Sequence, residues 1–190
     1  EIIERDLHED AYETQRKQMQ RYKGKKLAEG LERFLFVCPK CQAHQSLESQ
    51  NNTVKCRECG SSFIYNDYGM LEGAPFDTIR DFAAWQKDVV AKDVENGVIY
   101  CEESATLSTI VDHNSMPVTE GRLTISGDEI RCNDKVFSVR AISEMAMHGK
   151  NALVFSTKDG YFEILPKNDT NMIRFYWYFN AVKASQKTEV

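Results

Sequence analysis

The sequence predicts an α+β protein in which a helix joins a small four-cysteine module to an antiparallel β domain. Two Cys-x-x-Cys pairs lie in residues 38–60, and residues 76–97 have the three-to-four apolar spacing of a helix. From residue 98 onward, short apolar or alternating stretches are separated by Asn, Asp and Gly, as in antiparallel strands. With 190 residues, 42% of them hydrophobic, the chain can bury a core.

Turn residues and changes of pattern divide the chain into four segments. Residues 1–23 contain no proline or glycine and are rich in helix formers, so we expect a helix that ends at Gly24. Gly97 marks the end of the joining helix in the same way. The segments are an N-terminal helical segment (1–33), a cysteine module (34–73) with short strands including 34–38, a linking helix (74–97) and a β domain with a C-terminal capping helix (98–190).

The two cysteine pairs have the spacing of a four-thiolate metal site. Two residues between cysteines allow a tight turn that directs both sulfurs to one ion, and Pro39 and Gly60 favour such turns. Four thiolates leave no open coordination position, so the ion stabilises the fold and does not activate water. The predicted ligands of one structural zinc ion, in a zinc ribbon, are Cys38, Cys41, Cys56 and Cys59.

Other interpretations of the cysteines stay open. A rubredoxin-type iron site uses the same turns, and a thiol–disulfide role needs one pair, although the βαβ context of thioredoxin-like motifs is absent. His44 could replace a sulfur if one cysteine faced away. Cys101 and Cys132 lie in strand-like stretches, where we expect them to be small buried hydrophobic residues.

The sequence contains no recognisable catalytic constellation. Gly-x-Ser-x-Gly, the phosphate loop and His-Glu-x-x-His are all absent. His8, Glu9 and Asp10 are adjacent on the predicted first helix and point in different directions, so their carboxylates are interpreted as compensating the helix dipole. The aromatic run 175–179 surrounds the last helix, where we expect one half to cap the β domain and the other to meet a neighbouring element; the alternative is a ligand or partner groove. We therefore predict that this chain is not an enzyme.

Charge is unevenly distributed along the chain. The net charge of −5 disfavours nonspecific nucleic-acid binding by the whole surface, yet residues 16–26 contain six cations and no acid. Such a block can hold an acidic partner, anionic lipid or RNA, or it can be a solvated helix face that runs into a charged turn. No apolar run is long enough to cross a bilayer and no signal peptide is evident, so the expected location is the cytoplasm, with peripheral attachment to the inner membrane face left open. The expected surface contacts are Arg16, Lys17, Arg21, Lys23, Lys25 and Lys26.

Three stretches in residues 5–90 form a recognisable pattern: "KGKKLAEGLERFLFVCPKC", "CRECGSSFIYNDYGMLEG" and "FDTIRDFAAWQK". They resemble the C-terminal extension of some bacterial 1-acyl-glycerol-3-phosphate acyltransferases, in which a zinc ribbon and a β-rich region follow the membrane-associated catalytic domain. The family's His-x-x-x-x-Asp signature is absent, because Glu13 stands five residues after His8, and Pro-Glu-Gly is absent too. The resemblance therefore implies a catalytic domain upstream of Glu1, which is not a Met.

The β domain has a second resemblance. The stretch "FSVRAISEMAMHGKNALVFSTKDGYFEIL", within a run of antiparallel strands capped by a helix, resembles a pleckstrin-homology (PH) or GRAM-type domain. Such domains often bind membranes or proteins through loops at the open end of the barrel. The candidate loop "DHNSMPVTEG", residues 112–121, is not basic, so the resemblance does not extend to a phosphoinositide site.

Two functional hypotheses of different classes follow. The first is a noncatalytic accessory region of an acyltransferase that converts 1-acylglycerol-3-phosphate to phosphatidate, its partners being the upstream domain of the same polypeptide and a membrane or protein bound by the β domain. The second is a free-standing zinc-ribbon module that contacts nucleic acid or a protein. The acidity of the chain argues against nucleic acid, because phosphate contacts dominate such affinity.

Overall fold

The computed structural model describes residues 10–188, which form helices and two antiparallel sheets. One compact unit, the ribbon unit, ends at Ala84, and the second, the β unit, begins at Trp85. No helix in this range is long and apolar enough to cross a membrane. In chain order the elements are α1 (Ala11–Gln18), a 3-10 turn (Leu31–Arg33), β1 (Leu47–Gln50), β2 (Thr53–Cys56), β3 (Ser62–Tyr65), β4 (Leu71–Glu72), α2 (Ile79–Glu95), β5 (Tyr100–Val111), β6 (Asn114–Ser126), β7 (Glu129–Cys132), β8 (Lys135–Ser138), a 3-10 turn (Val139–Ala141), β9 (Glu144–His148), β10 (Ala152–Thr157), β11 (Gly160–Pro166) and α3 (Ile173–Thr188).

Helix α1 is shorter than the sequence predicted. Met19 adopts a left-handed conformation (φ 47°) and closes the last turn. The Gln15 side-chain amide donates to the carbonyls of Gln20 and Tyr68 at 2.6 and 3.0 Å, which holds the following chain away from the helix axis. The predicted end at Gly24 is therefore wrong. The first nine residues of the predicted helix, with His8 and Glu9, lie outside the described residues.

The ribbon unit contains a four-stranded antiparallel sheet in the order β1-β2-β3-β4. Its core includes Val54 and Phe63, which are paired across β2 and β3, and the ring of Phe63 lies 5.7 Å from that of Phe82. The predicted strand at residues 34–38 is wrong, since the only bridge there joins Val37 to His44. The apolar character of that stretch reflects burial in the core.

Helix α2 ends where the sequence predicted but begins later than predicted. The Thr78 hydroxyl accepts the N–H of Asp81 at 3.0 Å, so the helix begins after Thr78 and not at residue 74. At the other end Gly97 is left-handed (φ 67°), and the N–H of Val98 donates to the carbonyl of Asp93 at 2.9 Å. This is the glycine-ended helix terminus expected from the sequence.

The β unit is a curled, antiparallel seven-stranded sheet in the order β8-β7-β6-β5-β11-β10-β9, followed by α3. Two register shifts between the long strands β5 and β6 increase the local bend. Their connection is a two-residue turn in which Asp112 and His113 are both left-handed. The segment 112–121, which the sequence presented as a loop, is therefore mostly strand, because its residues pair with β5.

Helix α3 covers the sheet with its aromatic residues, as the sequence predicted. Phe175, Trp177 and Phe179 are buried, and the fully buried Tyr178 meets the ring of Tyr100 edge-on at 5.0 Å. Four of the five aromatic residues of the run 175–179 thus belong to the core.

Replacing Tyr178 by phenylalanine tests the polar end of this contact. The Tyr178 hydroxyl donates to the Val98 carbonyl at 3.0 Å and accepts the N–H of Gly127 at 3.1 Å. Its loss removes two partly buried hydrogen bonds, so we expect the free energy of unfolding to fall by about 1 kcal/mol in urea titrations. Tyr176→Phe, at a half-buried position of the same helix, is the control and is expected to change little.

Candidate metal centre

The first cysteine pair lies on a tight turn closed by its own backbone. The N–H of Cys38 donates to the carbonyl of Ala43 at 3.0 Å, and the N–H of Gln42 donates to the carbonyl of Cys38 at 2.9 Å. Gln42 adopts a left-handed conformation with φ 59°. This geometry turns the chain back after Cys41 and directs both side chains to the same side.

The second pair repeats this turn with the same hydrogen bonds. The N–H of Cys56 donates to the carbonyl of Ser61 at 2.8 Å, and the N–H of Gly60 donates to the carbonyl of Cys56 at 3.1 Å. Gly60 takes the left-handed position (φ 70°) that Gln42 occupies in the first turn. Gly60 is predictable as a turn residue from the sequence, whereas Gln42 is not, because glutamine gives no signal for that conformation.

The four predicted ligand sulfurs lie together. All four Sγ atoms are within 4.8 Å of one another, with Cys38 to Cys59 and Cys41 to Cys56 both at 3.7 Å. Metal–sulfur bonds of about 2.3 Å in a tetrahedron place sulfurs about 3.8 Å apart. The donor set and its spacing therefore fit one four-coordinate ion.

Two serine hydroxyls, which the sequence analysis missed, lie beside the sulfurs. The Ser61 hydroxyl is 3.0 Å from the sulfur of Cys59 and 3.5 Å from that of Cys38. The Ser46 hydroxyl is 3.3 Å from the sulfur of Cys56 and donates to a backbone carbonyl at 2.9 Å. A hydroxyl in the position of Ser61 can donate to a thiolate and support a metal site from outside, whereas the Ser46 hydroxyl already donates to the Ala43 carbonyl and accepts from the Cys56 thiol.

The sulfurs compete for negative charge. The Ser61 hydroxyl is the main cause of a lowered pKa of Cys59, which falls to about 6. The backbone N–H of Ala43 favours the Cys41 thiolate, but desolvation and the three neighbouring sulfurs outweigh it and raise the pKa of Cys41 to about 12. A divalent cation removes this conflict, because it stabilises all of the thiolates together.

The other described histidines and cysteines do not belong to the sulfur cluster. Among the described residues, the group that could hold a metal contains only the four cysteines, and His44 instead lies near the ring of Phe36 at 6.1 Å. Cys132 is fully buried, as predicted, whereas Cys101 is only half-buried. These two cysteines belong to strands β5 and β7 of the other unit.

The second candidate site is the basic segment, residues 16–26, all of which are exposed. It is held on the ribbon unit at its centre, where the N–H of Tyr22 donates to the Asp67 carbonyl at 2.7 Å and Arg21 forms a 2.6 Å ion pair with the Asp67 side chain. Residues 19–24 form no helix or strand.

The six cations of the basic segment fall into two groups. Three have acidic partners: Arg21 pairs with Asp67, Arg16 lies 3.9 Å from Asp77 and from Asp81, and Lys26 lies 3.1 Å from Glu29. The other three, which have no ion pair within residues 10–188, are Lys17, Lys23 and Lys25.

The open end of the β unit carries acidic groups. Because neighbouring strands are antiparallel, the β5–β6, β7–β8 and β10–β11 turns lie at the same end of the sheet. Each of these turns contains an aspartate: Asp112, Asp134 and Asp159. Lysines stand beside two of them, Lys135 next to Asp134 and Lys158 next to Asp159, so charges of both signs lie at this end.

Comparisons with known proteins identify structures and no family. No protein-family model matches the chain, and no curated protein matches it. The solution structure of the N-terminal PH domain of human ARAP2 is 16% identical, with 47% of this chain and 83% of that chain covered and a TM-score of 0.37. Inner Membrane Complex sub-compartment protein 3 from Toxoplasma gondii is 15% identical, with 53% and 85% covered and a TM-score of 0.33.

The architecture predicted for the second half of the chain, an antiparallel β domain with a C-terminal helix, is confirmed. Four consecutive strands form one side of the curled sheet, three more join it through the β5–β11 pair, and a C-terminal helix follows. The likeness to the two solved structures is weak and carries no ligand or function with it.

Proposed function

We propose that this chain is a noncatalytic accessory region of a phospholipid-synthesis acyltransferase and that it attaches to anionic lipid through its ribbon unit. The observation that carries the lipid contact is the basic segment, in which Lys17, Lys23 and Lys25 have solvent-facing charges without acidic partners in the described range. The link to an acyltransferase rests on the three sequence stretches that resemble that family, and none of the comparisons points to it.

We also propose that the ion of the ribbon unit is zinc. Four thiolates at tetrahedral spacing are the donor set of structural zinc sites, and two Cys-x-x-Cys turns are their usual source. Zinc in this position holds the sheet that carries the Asp67 anchor of the basic segment. The metal thus supports the proposed lipid contact without taking part in it.

Apolar groups add to the charges of the basic segment. Met19 and Tyr22 are 53% and 52% exposed among the lysines. Lysines near an anionic leaflet contribute about 1 kcal/mol each, and aromatic side chains favour the interface of a bilayer. This combination fits a surface contact with lipid headgroups that does not require insertion of a helix.

Vesicle binding tests the lipid contact. The zinc-loaded chain is expected to sediment with vesicles containing phosphatidylserine and not with phosphatidylcholine vesicles. Replacing Lys17, Lys23 and Lys25 by glutamine removes about 3 kcal/mol of attraction, so binding should weaken by about a hundredfold. The matched control changes the same net charge on the β unit and should bind normally: Lys135, Lys150 and Lys158 to glutamine.

Each part of the proposal can fail separately. Equal binding by the two triple variants would contradict the role of the basic segment. Salt-sensitive binding to RNA or DNA, lost in the first variant and accompanied by no vesicle binding, would favour the nucleic-acid hypothesis. A reading frame that continues upstream of Glu1 without His-x-x-x-x-Asp would overturn the acyltransferase link and leave the lipid contact standing.

A further inference from the structure

Strand β9 is an edge of the seven-stranded sheet. It pairs only with β10, in a continuous register from Glu144↔Ser156 to His148↔Ala152. Within residues 10–188 no strand pairs with its outer side. An edge of this kind presents a row of backbone N–H and C=O groups that another extended chain can pair with.

The other free edges of this sheet carry protective features that β9 lacks. The edge strand β8 has only four residues and begins with Lys135. The first half of β6, which extends beyond its pairing with β7, contains Pro117 next to a register shift. Strand β9, "EMAMH", has no proline, no lysine and no bulge, and its central Ala146 is exposed.

A groove of about 330 Å³ lies between the start of β9 and helix α3. Met145 on the strand and Phe179 on the helix are buried and give it an apolar floor. Lys183 provides a cation, with its ammonium group 5.7 Å above the Phe179 ring and 3.4 Å from the Arg140 carbonyl. The groove is lined by Ser143, Glu144, Met145, Phe179, Asn180 and Lys183.

We infer that β9 binds an extended peptide segment of a partner protein as an eighth strand of the sheet. Backbone pairing with the free edge requires an extended polypeptide, and alternate side chains of that peptide face α3. One of them, apolar, packs on Met145 and Phe179, and a neighbouring acidic one reaches Lys183. Glu144 lines the same groove from the strand, so the acidic side chain of the peptide is placed at the helix side, where Lys183 lies. The inference is independent of the proposed lipid contact.

Selection from a random-peptide display library on the full zinc-loaded chain tests this inference. We expect enriched peptides in which an apolar and an acidic residue stand two positions apart, so that both side chains face α3. Lys183→Glu should weaken a synthetic copy of the best peptide by about tenfold, whereas Lys158→Glu, on the exposed β10–β11 turn, should not change its affinity. Bound peptide should slow amide exchange within residues 144–148.

Backbone methylation separates strand pairing from side-chain docking. Methylating alternate backbone nitrogens of the peptide removes the donors that strand pairing needs, so the copy methylated on the pairing side should not bind. Full binding by both methylated copies would overturn the inference. So would failure to enrich any peptide, or exchange protection that lies outside β9 and α3.

Discussion

Replacing Cys41 by serine is expected to release the metal and unfold the ribbon unit. The four sulfurs, all within 4.8 Å, form one closed site, so losing one ligand disables it. Structural zinc contributes about 10–16 kcal/mol of apparent binding free energy in small zinc domains, which equals or exceeds the total stability of most domains. The measurement is amide exchange across residues 34–73 together with elemental analysis of the protein purified without chelator.

The control for this prediction is Cys101→Ser, at a half-buried cysteine of the β unit. It should keep about one zinc per chain and leave exchange in the ribbon unit unchanged. Iron in place of zinc would contradict the proposed ion and leave the cluster intact. A disulfide found by mass spectrometry in protein without metal would contradict the site itself.

The metal ligands were predictable because their geometry is local. Each Cys-x-x-Cys turn is closed by hydrogen bonds that span at most five residues, such as Cys38 to Ala43, so spacing alone determines where the sulfurs point. The Ser46 hydroxyl escaped prediction for the opposite reason, since it reaches Cys56, ten residues away, only after β1 and β2 pair.

Strand prediction succeeded where β-branched and aromatic residues alternate and failed where they do not. Strand β10 was predicted because "ALVFST" has that composition. Strands β1, "LESQ", and β9, "EMAMH", were missed because most of their residues favour helices or turns. Pairing with β2 and β10 overrides those local preferences, and single-segment reasoning has no access to such contacts.

A buried ion pair between α3 and β5 was equally inaccessible from the sequence. Arg174 and Glu102 are 72 residues apart, and their side chains are 3% and 10% exposed. The Arg174 Nη2 donates to the Cys101 carbonyl at 2.7 Å and lies 3.5 Å from the Glu102 carboxylate, while its Nε donates to the Asn171 carbonyl at 3.0 Å. Burial lowers the pKa of Arg174, and the negative charge of Glu102 opposes that change.

Arg174→Met is expected to lower the free energy of unfolding of the β unit by about 3–5 kcal/mol, because it leaves a carboxylate and two carbonyls buried without their donor. In a unit of this size the melting temperature should fall by more than about 12 °C.

Arg140→Met is the matched control. Arg140 also faces an acid, Asp128 at 3.5 Å, but its side chain is 69% exposed, and exposed pairs contribute about 1 kcal/mol or less. Equal losses in the two variants would show that the buried guanidinium is not what joins α3 to β5. The double variant Arg174→Met with Glu102→Gln provides a further check. If it is more stable than the sum of the two single changes predicts, the lost stability comes from the unpaired Glu102 carboxylate.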